Sequence, residues 1–190
     1  MTNPIKINYV CEVNFPNTSA YSIHVMKMCD ALVTKDSEVN LICPSLEIDK
    51  KKLKKNYKTL NNFKIRNVFK KKTQMNFFSR VFFSVKILTD KSLYLDNFNY
   101  FYLSRSIIFA IVASLFNKKV ILEIHHELSG ATKLIYYILR TAGLLNNLNY
   151  IFIHKNLIKI FKIKKGSYIC LDDAVKVEDF DIKKKKLFKK

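Results

Sequence analysis

The chain is expected to adopt an α/β fold: a doubly wound, mostly parallel sheet with helices on both faces, Rossmann-like in architecture. Three observations lead there. Short β-type runs alternate with helical runs along most of the sequence, the pattern that builds layered parallel sheets. The first strand, helix and second strand have the length of a unit whose strands pair in parallel through a crossover. A chain of 190 residues, 49% of them hydrophobic, can bury one good core but hardly two.

The first strand is the apolar run Ile5 to Cys11. Asn14-Phe15-Pro16-Asn17-Thr18-Ser19 follows as a turn able to cap a helix. That helix is expected from Ala20 to Lys35, because Val25, Met26, Cys29, Leu32 and Val33 recur at i, i+1, i+4, i+7 and i+8 and make one buried stripe. Glu38 to Cys43 is a second strand, closed by Pro44. Lys50 to Lys58 holds charge without periodicity and reads as a mobile loop. The alternation then continues more loosely. Strands are expected at Asn62 to Val68, Tyr100 to Leu103, Val120 to Ile124, Tyr150 to Ile153 and Ser167 to Leu171. Helices are expected at Asn76 to Leu88, Ser106 to Phe116, Thr132 to Leu145 and Lys155 to Lys162.

The formal charge is +19, and it is unevenly placed. Eleven basic residues and no acidic one lie between Lys50 and Lys72, and six more lysines close the chain from Lys183 to Lys190. Such runs attract anions, whether nucleic acid, anionic lipid headgroups or pyrophosphate, but they can equally be solvated surface. The basic residues are not interleaved with Gly and aromatics as in nucleic-acid modules, which argues against nucleic acid as the partner. No run reaches the ~20 apolar residues needed to span a bilayer, and the N-terminus lacks a signal-peptide core. A cytoplasmic protein, peripheral at most on the inner face of a membrane, is the expectation. Cys11, Cys29, Cys43 and Cys170 are widely spaced in apolar surroundings and read as reduced core residues rather than metal ligands.

In doubly wound sheets, ligands gather beyond the carboxyl ends of the strands. That rule nominates the loop Glu12 to Ser19, the pair Ser104-Arg105, and His125-His126-Glu127. Thr18, Ser19 and the amides of Ala20 and Tyr21 stand at a helix start, where a phosphate or carboxylate is favoured. Ser19 can also be a plain N-cap. His24 lies off the apolar stripe and could face the same cleft or solvent. Glu123 and His125 share one face of their strand, and a carboxylate ending a buried strand needs a partner. Adjacent His125 and His126 point apart and have no third ligand at suitable spacing, so no metal is expected.

The stretch Ala20-Tyr-Ser-Ile-His-Val-Met-Lys-Met-Cys-Asp-Ala-Leu32, followed by Glu38-Val-Asn-Leu-Ile-Cys-Pro44, resembles the opening of retaining GT-B glycosyltransferases of family 4. Tyr102-Leu-Ser-Arg-Ser-Ile107 and Lys119-Val-Ile-Leu-Glu-Ile-His125 are similar to that family's fourth and fifth strands, which often end in Arg and in Glu-x-His. Ser167-Tyr-Ile-Cys-Leu-Asp-Asp-Ala-Val-Lys-Val-Glu-Asp-Phe180 resembles the passage from its first domain to its second. The resemblance covers nearly the whole chain.

It implies an N-terminal, acceptor-binding Rossmann-like domain over residues 1–180, a Lys-rich tail over 181–190, and no donor-binding domain in this chain. The nucleotide-sugar donor would then bind mainly elsewhere, with no cofactor held here. His125 would lie beside the transferred sugar as the catalytic residue. Glu123 would hold the strand end that presents it, and Arg105 would lie near the cleft with His24 and His126. Thr18, Ser19 and Tyr21 would approach acceptor or phosphates. Many family members have paired glycines in the first loop where this chain has Thr18, Ser19 and Ala20. The partners implied are a sugar or lipid-linked acceptor, a separate donor-binding chain and an anionic membrane surface, in cell-surface polysaccharide or glycolipid synthesis. The chain would be a truncated product or one subunit of a split enzyme. The competing expectation is a non-catalytic basic module that binds membrane or glycan. Phe77, Phe78, Val81, Phe82 and Phe83 beside Lys70 to Lys72 could form an interfacial helix or a core helix.

Overall fold

The computed structural model describes residues 4–91, 100–163 and 166–171. Among them are strands β1 (Ile5–Val10), β2 (Ser37–Cys43), β3 (Lys64–Asn67), β4 (Tyr100–Ser104), β5 (Val120–Ile124), β6 (Leu148–Phe152) and β7 (Tyr168–Cys170). Between them run helices α1 (Ala20–Leu32), α2 (Lys50–Asn56), α3 (Phe77–Thr89), α4 (Ile107–Leu115), α5 (Gly130–Thr141) and α6 (Lys155–Phe161). The strands form one seven-stranded sheet in the order β3-β2-β1-β4-β5-β6-β7, and every described pairing is parallel.

Each face of the sheet buries a separate core. Ile7, Tyr9, Val39, Leu41, Ile65 and Leu103 pack against Val25, Met26 and Cys29 of α1 and Leu53 of α2. On the opposite face Val10, Ile42, Tyr102, Val120, Leu122, Tyr150 and Phe152 meet helices α3 to α6, through Phe83, Ile87, Phe109, Tyr136, Leu157 and Phe161 among others. Burial on both faces is why β1 and β4 end in unbroken buried runs rather than alternating ones. The fold is therefore an α/β doubly wound sheet of Rossmann-like type.

Local chemistry sets the helix ends. Ser19 caps α1, accepting from the Ser22 amide; Asn76 caps α3 and Ser106 caps α4 in the same manner. α1 stops at Leu32, short of the expected Lys35, because Ser37 donates to the Leu32 carbonyl and turns the chain into β2. The clearest correction concerns Lys50 to Lys58. It is not a loop: its first seven residues form α2, which Asp49 caps by accepting from the amides of Lys51 and Lys52 and which Leu53 anchors in the core. One buried leucine and one cap suffice for a short helix whose lysines face water. α5 starts and ends earlier than expected, since the chain bends at Gly143 with φ of 74°. Cys11, Cys29 and Cys43 are buried and Cys170 half-buried, all as free thiols. Among the described residues no helix is long and apolar enough to cross a membrane. The expected linker after Leu171 and the Lys-rich tail at 181–190 lie outside the described residues.

Phe109 sits fully buried where α4 crosses β4, edge-on to Tyr102. Its replacement by Ala leaves a large cavity, and the expected loss is about 3–5 kcal/mol of unfolding free energy in urea. Phe78→Ala, at an 82% exposed position of α3, is expected to change stability by less than about 0.5 kcal/mol.

Candidate functional site

β1 feeds α1 on one face, whereas β4, its neighbour in the sheet, feeds α4 on the other. Their outgoing loops therefore diverge at the carboxyl ends of the strands, the usual ligand position in such sheets. The register Val10↔Ser104 and Ser104↔Leu122 brings the ends of β1, β4 and β5 to one level. The residues just beyond that row are Glu12, Arg105, Ser106, Glu123 and His125.

Glu123 is the centre of this rim. Its side chain is 4% exposed. Tyr9, on the same face of β1, donates its hydroxyl to Glu123 Oε2 at 3.2 Å across β4. His125 Nε2 lies 2.5 Å from Glu123 Oε1 in a hydrogen bond. His24, one turn into α1, places its Nε2 2.9 Å from the same oxygen. His24 Nε2 is buried against the carboxylate at ion-pair distance, without a hydrogen bond of good geometry. The two imidazoles meet edge-on, with centroids 5.2 Å apart. Burial alone would push the Glu123 carboxyl up; the contacts and charges of His125 and His24 outweigh it and hold the group down at about 2. The carboxylate thus stays ionised against both rings, and its hydrogen bond holds that of His125.

A second cluster adjoins the first. Arg105 lays its guanidinium over the ring of Tyr21, 4.8 Å from the centroid. Tyr21 and His24 are three residues apart on α1 and so share a face. Glu12 accepts from the Ser106 hydroxyl and pairs with Arg80 Nε at 3.3 Å. Burial raises the Glu12 carboxyl, and the Ser106 hydrogen bond and Arg80 charge offset this only in part.

Of the residues nominated from sequence, Tyr21, His24, Arg105, Glu123 and His125 come together at this rim. Ser19 is close in the chain, but its side chain is spent capping α1. Thr18 lies elsewhere, with Pro16, Asn17, Ile23, Lys27 and Tyr57 along a groove of about 680 Å³ between α1 and the end of α2. His126 is exposed and outside the cluster. Tyr9, Glu12, Arg80 and Ser106 were not foreseen. Glu12 stood within a nominated loop and was recoverable; Tyr9 reads as a core aromatic and Arg80 as a helix surface cation.

A carboxyl group raised by burial binds its proton more tightly folded than unfolded. Its contribution is therefore intact below the ordinary carboxyl range and is lost as pH rises through the raised folded value. Glu12→Gln is accordingly expected to be more stable than wild type at pH 7 and equal to it near pH 3.5, as measured by urea unfolding across that range. No protein-family model matches the chain, and no curated protein matches it.

Proposed function

We propose that the chain is the acceptor-binding half of a retaining, nucleotide-sugar-dependent glycosyltransferase that works with a donor-binding module. The observation that supports this is the meeting of Arg105, Glu123 and His125 with Tyr21 and His24 at the switch-point rim. Transfer replaces a diphosphate at the anomeric carbon by an acceptor hydroxyl on the same face. The bond from carbon to the departing oxygen breaks, the diphosphate leaves with its electron pair, and the hydroxyl proton goes to a phosphate oxygen. Such a reaction needs hydrogen bonds to sugar hydroxyls and positive charge near the leaving group. In this reading His125, held by Glu123, binds a hydroxyl of the transferred sugar. Arg105 offsets the charge of the diphosphate, and the rim beside Tyr21 receives a saccharide or lipid-linked acceptor. The product belongs to cell-surface polysaccharide or glycolipid synthesis.

A second reading is favoured by one surface. Phe77, Phe78 and Phe82 of α3 are exposed, the last two by 82% and 60%, and Lys70, Lys71 and Lys72 stand exposed just before the helix. Apolar side chains next to a lysine run suit a membrane interface with anionic lipid, each lysine adding about 1 kcal/mol near such a surface. This reading is a non-catalytic basic module on membrane or glycan, and it is compatible with a lipid-linked acceptor.

Saturation-transfer NMR on the full chain with a panel of oligosaccharides tests the first reading. Binding is expected to weaken about tenfold or more in Tyr21→Ala, and turnover with a donor-binding module added is expected to fall by about the same factor in Arg105→Ala and His125→Ala; a wild-type chain that binds none of the panel, and turns over no sugar nucleotide with a donor-binding module added, defeats it. For the second, sedimentation with liposomes containing anionic lipid is expected to show binding that falls steeply with salt. Phe78→Ala with Phe82→Ala should reduce it about tenfold or more, while His125→Ala should leave it unchanged.

A further inference from the structure

The rim contains three Lewis-basic atoms that the sugar-transfer reading does not fully use. His24 Nε2, Glu123 Oε1 and His125 Nε2 all lie within 4.8 Å of one another, and among the described residues this is the one group of three side chains so placed. Only one of the two short approaches is a hydrogen bond, from the His125 ring. His24 Nε2 is buried against Oε1 without one. A buried nitrogen with no hydrogen-bond partner is costly and uncommon. Here it lies against a carboxylate and beside a second imidazole, so three electron-pair donors stand together.

We propose that His24, Glu123 and His125 form a three-ligand site for a divalent transition-metal cation of the zinc type. Two imidazole nitrogens and one carboxylate oxygen are a donor set that such cations prefer over magnesium or calcium. Ligands about 2.0–2.2 Å from a tetrahedral ion stand roughly 3.3 Å apart. The observed approaches of 2.5 Å and 2.9 Å to Glu123 Oε1 are shorter than that, and the two nitrogens lie no more than 4.8 Å apart. Admitting the ion takes a parting of Glu123 from His125 by roughly 0.8 Å and from His24 by roughly 0.4 Å on this geometry, within reach of small side-chain χ rotations. Both rings then bind as neutral imidazoles, and the carboxylate brings the negative charge.

The surroundings suit such a site. The Tyr9 hydroxyl on Glu123 Oε2 is the kind of outer hydrogen bond that orients a ligating carboxylate. β5 supplies two ligands and α1 the third, so the ion would tie the first helix to the sheet at the rim. Three protein ligands rather than four leave one coordination position for water or a bound group. His126 is exposed and outside the cluster, and Cys11, Cys29 and Cys43 are buried in the apolar cores. The inference rests on these three side chains and not on sugar transfer; Arg105→Ala, which lowers sugar transfer in that reading, leaves the metal site whole and so separates the two.

The full chain, stripped with EDTA, is titrated with Zn²⁺ by calorimetry and with Co²⁺ by visible absorption. One equivalent is expected to bind, with Co²⁺ bands of nitrogen and oxygen ligation and no thiolate charge transfer. His24→Ala, at a side chain 25% exposed on α1 and so tolerated by the fold, should weaken binding about 100-fold or more. Tyr9→Phe should weaken it about tenfold, and His126→Ala, Cys170→Ser and Arg105→Ala should stay within about twofold of wild type. The proposal is overturned if the wild-type chain takes up no stoichiometric metal, if His24→Ala binds as wild type, or if His126→Ala loses binding equally.

Discussion

The candidate site depends on a buried charge. Glu123 closes β5 with almost no exposure, on a face otherwise filled by Tyr9, Val25, Met26 and Leu103. A carboxylate taken out of water without partners is prohibitively unfavourable, so the fold must bring polar groups to it. They come from separate elements: a hydroxyl from β1, one imidazole from α1 and another from the residue after β5. The apolar stripe of α1 sets how that helix lies on the sheet, and Glu123 gathers its polar neighbours from β1, α1 and the end of β5 at one rim.

Topology makes that arrangement available. The strand order turns back at the β1/β4 boundary, so α1 and α4 leave neighbouring strands towards opposite faces. The loops that follow β1 and β4 therefore part at the strand ends. The side chains there, Glu12, Arg105 and Ser106, bond to each other's neighbours rather than to core atoms. In a single-layer fold with continuous winding the same residues would be covered by the next helix. The apolar layers that fix the topology and the polar rim that could carry chemistry are thus parts of one plan.

Much of this plan is legible in the residues themselves. The buried stripe Val25, Met26, Cys29 announces α1, and the run Val120 to Ile124 announces β5 with its limits intact. The pairing of Glu123 with His125 follows from strand alternation, which is local. Long-range placement is not local: nothing in sequence says that His24, ninety-nine residues before Glu123, approaches the same oxygen. A ligand search by spacing near His125 and His126 cannot find it. Likewise Lys50 to Asn56 carries no helical stripe because only Leu53 needs burial, and the cap that starts the helix is a single aspartate. Boundaries set by turn hydrogen bonds, such as Ser37 to the Leu32 carbonyl, are equally invisible to periodicity.

The two carboxylates of the rim are pushed in opposite directions. Both lose hydration, but Glu123 has two imidazoles against it, whereas Glu12 has a hydroxyl and a half-exposed guanidinium at 3.3 Å. The difference in partners therefore decides the outcome: Glu123 is committed to its charge, and Glu12 is moved towards the range in which a proton is exchanged. Separating the titration of neighbouring acids is how one site can hold a fixed charge and a proton carrier together. In a chain with 15 acidic residues against 34 basic ones, two of the scarce carboxylates stand under cover at one rim, one held ionised by its imidazoles and the other raised by burial.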